Sequence, residues 1–119
     1  MQIGALMDTD VVTVRSDLTL EDAIAALRAR RALPEHLTAI YAVDRENVLQ
    51  GVLPLAKLLF GDPKLKVNEV MDDDPVYFST TDSADQAAQA FERYDLISAP
   101  VVNLHRQMVG WVTVDEVVE

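Results

Sequence analysis

Carboxylate oxygen is the reactive group this chain offers in quantity. Twenty Asp and Glu face ten Lys and Arg, for a formal charge of −10 at pH 7. A surface of that kind suits hard divalent cations, which take carboxylate, carbonyl and water oxygens. It equally suits a basic partner or plain solubility. It opposes phosphate-backbone binding, which needs clustered Lys and Arg, so nucleic acid is not an expected partner. Other chemistries find little material. The absence of cysteine removes disulfides and thiolate metal sites. His36 follows a helix-breaking proline and His105 sits in a tight turn, at spacings that offer neither metal ligation nor a nucleophile pair. Both read as solvent-facing turn residues. Ser and Thr are scattered over caps and strands with no nucleophile elbow. Catalysis is therefore not expected.

The elements that must position these carboxylates occur twice. Met7-Asp8-Thr9-Asp10 opens one copy and Met71-Asp72-Asp73-Asp74 opens the other. Each continues with a short β-branched stretch (11–14; 76–79) and an alanine-rich amphipathic helix. A second strand (40–43; 100–102), a small turn and a glycine-containing strand (48–53 with Gly51; 108–113 with Gly110) follow. A shorter helix closes each copy, over 55–60 and from Val114. The expected architecture is α+β, two modules of order strand-helix-strand-strand-helix over 1–63 and 64–119, related by a pseudo-twofold axis. A cleft between such modules is a natural ligand site.

Local signals agree with that order. Thr19 with Asp22, and Ser83 with Gln86, have the spacing of helix-capping pairs. Leu20, Ala23, Ile24 and Leu27 repeat at helical spacing, as do Ala84, Ala87, Ala88 and Phe91. These stripes read as core. Arg28, Arg30 and Arg31 stand near a helix end, where cations complement the dipole. Leu33-Pro34-Glu35-His36 lengthens the first copy's connection relative to the second. Val67 to Val70, mirrored weakly by Ile3 to Leu6, reads as a short helical lead-in. Half of the 119 residues are hydrophobic, enough to build a core. No signal peptide is visible after Met1 and no apolar run approaches a membrane span. An amphipathic helix that stops uncapped at Glu119 predicts a segment of a longer protein.

Met-Asp ahead of the first strand, and Gly-h-h-Thr-x-x-acid at the end, resemble a CBS domain pair (Bateman module) over essentially the whole chain. Within that family the wording is similar to the cytosolic CBS pair of MgtE magnesium transporters. Four stretches carry the likeness: Gly4 to Met7, Glu69 to Asp72, Tyr94 to Val102, and Val109 to Val118. The resemblance implies a face-to-face homodimer on the cytoplasmic side of the membrane. Its implied neighbours in the full-length chain are an acidic amino-terminal domain and a transmembrane domain.

Adenine nucleotide binding is the common function of CBS pairs. In the family, the acid of Gly-h-h-Thr-x-x-Asp accepts from ribose hydroxyls. Thr113 and Glu116 match that motif, with Glu in place of Asp. The first copy departs from it, since Pro54 replaces the hydroxyl residue and Lys57 the acid. The aromatic and the arginine of ATP-binding relatives appear here as Ala39 and Ala56, so ATP and AMP are disfavoured. The same resemblance implies regulatory Mg²⁺ held by carboxylates where the module meets its neighbours. Carried across position by position, these are Asp85, Asp95, Glu116 and Glu119. Each also has a plain reading as solvated surface, and Asp85 as a helix-start carboxylate.

Magnitudes permit a switch. Two carboxylates about 4 Å apart repel by roughly 4 kcal/mol at an effective dielectric near 20. Driving a two-state element from mostly open to mostly closed takes about 5.5 kcal/mol. A few bridged pairs would suffice. The expected role is a Mg²⁺ sensor that gates transport. Its rivals are a nucleotide-binding regulatory module of another protein and a ligand-free dimerisation module.

Overall fold

The computed structural model describes residues 1–118. It consists of two compact units, each a three-stranded sheet with helices. One unit spans residues 12–75. The other is discontinuous, joining residues 1–11 to the segment from 76 onward.

In the first unit the order is β1 (Thr13–Arg15), α1 (Leu20–Arg28), β2 (Ala39–Val43), β3 (Leu49–Pro54), α2 (Leu55–Phe60) and α3 (Val67–Val70). β1 runs parallel to β2, with Val14 opposite Ala42. β2 runs antiparallel to β3, with Ile40 opposite Leu53 and a register shift at Ala42/Val43. Helix α1 starts where the Thr19 hydroxyl accepts from the Asp22 N–H at 3.1 Å, satisfying one of the backbone donors left free at a helix start. Leu20, Ala23 and Leu27 then fall on one stripe and pack against Val14, Ile40, Leu53 and Val67. Each large aliphatic side chain so buried contributes about 1.5–3 kcal/mol. Past the helix the chain turns at His36, whose φ of 61° is left-handed.

The second unit repeats this plan with β4 (Phe78–Ser79), α4 (Ala84–Arg93), β5 (Ser98–Val102), β6 (Met108–Thr113) and α5 (Val114–Val117). Phe78 stands opposite Val101 in parallel pairing. Ala99 stands opposite Val112 in antiparallel pairing, with the register shift now at Val101/Val102. A 3-10 turn over Ile3–Ala5 belongs to this unit and buries Ile3 fully. The core differs in kind. Phe78 and Phe91 stack at 5.8 Å between centroids, where the first unit has Val14 and Leu27. Ala84, the smaller counterpart of Leu20, packs at the edge of this cluster.

The repeated hairpin turns use one device in two chemistries. Asp44 Oδ1 accepts from the Glu46 and Val48 N–H groups, both at 2.9 Å. Asn103 Oδ1 accepts from the His105 and Gln107 N–H groups at 2.9 and 3.0 Å. Asn47 and Arg106 take the left-handed position in each turn, at φ 65° and 61°. Both histidines are exposed in their turns, where the sequence places them.

The Met-Asp signatures have a packing role that composition does not reveal. Asp72 exchanges two backbone hydrogen bonds with Val52 (2.9 and 2.8 Å), and Asp8 does the same with Trp111 (3.0 and 2.8 Å). Each Met-Asp segment thus crosses a glycine-containing strand beside its glycine. No described helix is long and apolar enough to cross a membrane.

Candidate functional site

Many carboxylates hold the backbone in shape. Asp8 Oδ1 accepts from the Asp10 N–H at 2.8 Å, and Asp72 Oδ1 accepts from the Asp74 N–H at 3.1 Å. Asp82 Oδ2 takes the Ser79 N–H at 2.8 Å, and Asp62 Oδ1 takes the Lys64 N–H at 2.9 Å. Such side-chain turns explain a good part of the acidic excess without any ligand.

The charge is also unevenly placed. The unit formed by residues 1–11 and 76–119 has nine acids and two bases in its sequence, a formal −7. Residues 12–75 carry eleven acids and eight bases, a formal −3.

Within the more acidic unit, α4 and α5 bring two of the expected carboxylates to one place. The Ser83 hydroxyl caps α4, accepting from the Asp85 and Gln86 N–H groups at 3.2 and 3.4 Å. Asp85 therefore sits in the first turn, where the helix dipole favours negative charge. Helix α5 starts with a reciprocal cap. Glu116 Oε1 accepts from the Thr113 N–H at 2.9 Å and from the Thr113 hydroxyl at 3.1 Å. Met1, Leu6, Ala84, Asp85, Glu116 and Val117 line one open cleft of about 320 Å³. The amino terminus closes it from one side through the Ala84 N–H, which donates to the Met1 carbonyl at 2.8 Å.

Asp95 is placed elsewhere. Asp95 lies past the other end of α4, a helix about 15 Å long, and does not line the cleft. Its N–H donates to the Glu92 carbonyl at 3.4 Å, and the next N–H, of Leu96, donates to the Phe91 carbonyl at 2.9 Å. With φ at 52°, Asp95 is the left-handed residue of a Schellman motif, a position that Gly, Asn and Asp tolerate. The sequence signal was available, since Asp is one of the few residues suited to that conformation. Replacing Asp95 by Asn should leave stability within about 0.5 kcal/mol, whereas Val should cost about 1–2 kcal/mol. Urea unfolding of the two variants checks this. Glu119 lies outside the described residues.

Among the described residues no group of three or more His, Cys, Asp or Glu closes around a common point. The cleft therefore presents two carboxylates rather than a cage. That donor set fits Mg²⁺, which keeps several waters and is usually held by one or two carboxylates. Glu116 Oε1 is engaged by Thr113, so its second oxygen would be the one to meet an ion.

The equivalent position in the other unit differs chemically. Pro54 stands opposite Ala39 as Thr113 stands opposite Ser98, and α2 has no side-chain cap. Lys57, at the place of Glu116, lines a separate apolar cleft with Ala56, Phe60, Gly61, Glu69 and Val70. Two contacts were not foreseen from the sequence. Trp111 Nε1 donates to the Asp10 carbonyl at 3.0 Å, and the Arg106 guanidinium lies 5.0 Å from the Tyr77 ring centre.

Comparison with known proteins places this arrangement. The CBS domain model matches residues 3–61 and again residues 67–119. The magnesium transporter MgtE of Thermus thermophilus is 36% identical over 118 residues, covering 99% of this chain and 26% of the transporter. MgtE of Enterococcus faecalis is 28% identical over 116 residues, covering 98% of this chain and 26% of that protein. The chain thus spans about a quarter of the length of these relatives. Among solved structures, the cytosolic domain of the Mg²⁺ channel MgtE in complex with ATP superposes with a TM-score of 0.91 at 36% identity. That match covers 98% of this chain and 47% of the other. Two domain matches that together take in nearly the whole chain, on a fold of paired three-stranded sheets, place this protein in the CBS domain family as a tandem CBS pair.

Proposed function

We propose that this chain is the regulatory CBS pair of an MgtE-like magnesium transporter, sensing cytosolic Mg²⁺ rather than forming the pore or catalysing a reaction. The observation that carries the reading is the pairing of Asp85 and Glu116 at one cleft, in a chain similar to MgtE along its length. Two carboxylates facing one opening repel each other, and an ion that bridges them removes the repulsion and adds attraction. Asp95 and Glu119 would serve further contacts toward the amino-terminal and transmembrane domains of the full-length protein. Low Mg²⁺ would leave acidic surfaces apart; high Mg²⁺ would draw them together and close transport. The module would act as a homodimer through its CBS faces. The concentration of formal charge in the unit that holds Asp85 and Glu116 supports the cation reading.

A nucleotide-binding role is the second reading, favoured by the ATP complex of a 36% identical relative. Four residues weigh against it. Ala39 and Ala56 offer no stacking ring and no guanidinium, Pro54 has no hydroxyl, and Lys57 cannot accept from a ribose. Thr113 and Glu116 remain as the one motif pair, already bonded to each other.

Separate titrations with Mg²⁺, ATP and AMP, followed by thermal unfolding, distinguish the readings. Mg²⁺ is expected to raise the melting temperature, and either nucleotide alone to leave it unchanged. A large shift with nucleotide and none with Mg²⁺ would reverse the ranking. In a longer polypeptide that keeps the flanking domains, Mg²⁺ should cause compaction seen by small-angle scattering. Joint replacement of Asp95 and Glu116 by amides should weaken that compaction.

A further inference from the structure

The first unit holds a groove that the sensor reading does not use. It has a volume of about 340 Å³ and is framed by the ends of β1 and β2, the turn after each, and Ala26 of α1. Arg15, Leu18, Asp44 and Arg45 line it together. We infer that this groove binds a free aliphatic α-amino acid. The two guanidinium groups hold its carboxylate, Asp44 accepts from its ammonium group, and Leu18 and Ala26 meet its side chain. The inference is independent of the Mg²⁺ reading. Every residue it uses lies within residues 12–75, and none is a candidate cation ligand.

Three observations point the same way. First, the guanidinium groups keep donors to spare. Arg15 Nη2 donates to Asp17 Oδ2 at 2.8 Å, which uses one nitrogen of a planar fork with five N–H donors. Among the described residues Arg45 has no carboxylate within ion-pair distance. Forks of this kind match the two oxygens of a carboxylate. Second, the charges balance. Arg15 and Arg45 stand against Asp17 and Asp44, so the groove is formally neutral. A zwitterion suits that balance, being neutral as a whole and offering one group of each sign. A phosphate dianion would meet both carboxylates, and a bare cation both guanidinium groups. Asp44 Oδ1 is held by the Glu46 and Val48 N–H groups, which fixes this carboxylate and leaves Oδ2 for a ligand. Third, the fold does not require these residues. The second unit builds the same turn on neutral Asn103. It has Ser79 where β1 has Arg15, each opposite the last residue of the neighbouring strand. Leu104, almost fully exposed, takes the place of Arg45. A volume of about 340 Å³ falls at the lower end of the range for small-molecule sites, which suits a ligand of amino-acid size.

Titration with L-leucine tests the inference, followed by amide chemical shifts at constant ionic strength with EDTA present. L-Leucine should bind with a Kd of about 1 mM or tighter, with shifts centred on residues 13–18 and 43–48. Isocaproate, which lacks the ammonium group, and isoamylamine, which lacks the carboxylate, should each bind about 10-fold more weakly or worse. Arg15→Gln and Arg45→Gln should each weaken L-leucine by about 10-fold or more. Asp44→Asn keeps an oxygen for the turn, as Asn103 does in the second unit. It should weaken L-leucine by about 10-fold and leave isocaproate unchanged. Arg106→Gln removes the same charge from the other unit and should change nothing. Should Arg15→Gln fail to fold, Arg45→Gln and Asp44→Asn decide alone. The absence of saturable shifts with L-leucine would overturn the inference. Isocaproate or inorganic phosphate binding as tightly as L-leucine would overturn the amino acid in favour of a plain anion site. L-Leucine affinity unmoved by Arg45→Gln and Asp44→Asn would overturn this groove as the site. With Mg²⁺ chelated throughout, the sensor reading stands or falls separately.

Discussion

Replacing Gly51 by alanine should lower stability by about 3 kcal/mol, and replacing Gly110 by alanine by about 2 kcal/mol. In melting temperature these correspond to roughly 12 and 8 °C for a chain of this size. Both glycines have φ values that alanine can adopt, since no glycine here lies at positive φ. Restricting the unfolded chain would then favour alanine by about 0.4–1 kcal/mol. Sterics reverse the sign. A Cβ on Gly51 would stand 2.5 Å from the Asp72 carbonyl oxygen and 2.6 Å from Met71 Sδ. On Gly110 it would stand 2.5 Å from Met7 Sδ but 3.0 Å from the Asp8 oxygen. The first clash is with backbone held by paired hydrogen bonds to Val52; the second is mainly with a flexible thioether, which can swing aside.

That difference yields an internal control. Met7→Ala combined with Gly110→Ala should be markedly less damaging than the sum of the single changes. Met71→Ala should relieve Gly51→Ala much less, because the Asp72 oxygen stays where it is. Gly4→Ala, whose Cβ would meet the Thr80 oxygen at 3.1 Å, should be nearly neutral. Urea unfolding of the series reads all of these. Equal, small losses at Gly51 and Gly110 would mean that the Met-Asp crossing does not constrain the strands.

The Met-Asp and glycine signatures were visible as a repeat, yet nothing in their spacing said that they touch. Sequence order joins Met71-Asp72 to the copy it introduces, while its backbone hydrogen bonds go to the strand holding Gly51. Elements set by local periodicity and caps were legible, among them α1 from Thr19, α4 from Ser83 and the strand over 108–113. Their edges moved by a residue or two, since pairing partners rather than propensity decide where a strand ends. β1, for example, begins at Thr13, where pairing with Tyr41 starts. The candidate site was legible in part. Resemblance named Asp85 and Glu116 without saying that one cleft holds both. It named Asp95 without showing that a left-handed turn already explains an aspartate there. The reciprocal bond between Thr113 and Glu116 follows from a Thr-x-x-Glu spacing and could have been read as a cap directly.

Asp85→Asn and Glu116→Gln should each weaken Mg²⁺ binding by at least about 10-fold, equivalent to about 1.4 kcal/mol. The reason is that the cleft has two carboxylates and each is a large share of the charge an ion would meet. With Mg²⁺ at 100 times its dissociation constant, binding stabilises the native chain by about 2.7 kcal/mol. Either amide should remove about half of that gain, and the pair of amides nearly all of it. The choice of amide matters at position 116. Glutamine keeps an oxygen to accept from the Thr113 N–H, so stability without Mg²⁺ should change by less than about 0.5 kcal/mol. Alanine removes the cap too and should cost about 1 kcal/mol even without the ion. Asp95→Asn, outside the cleft, should leave the response of this chain intact and act only where flanking domains are present. Thermal unfolding at constant ionic strength separates bound ion from screening, because screening acts on all exposed carboxylates alike. If Asp85→Asn and Glu116→Gln respond to Mg²⁺ as the unaltered chain does, the cleft is a capped helix pair with solvated acids. The sensing carboxylates would then have to lie where this module meets its neighbours.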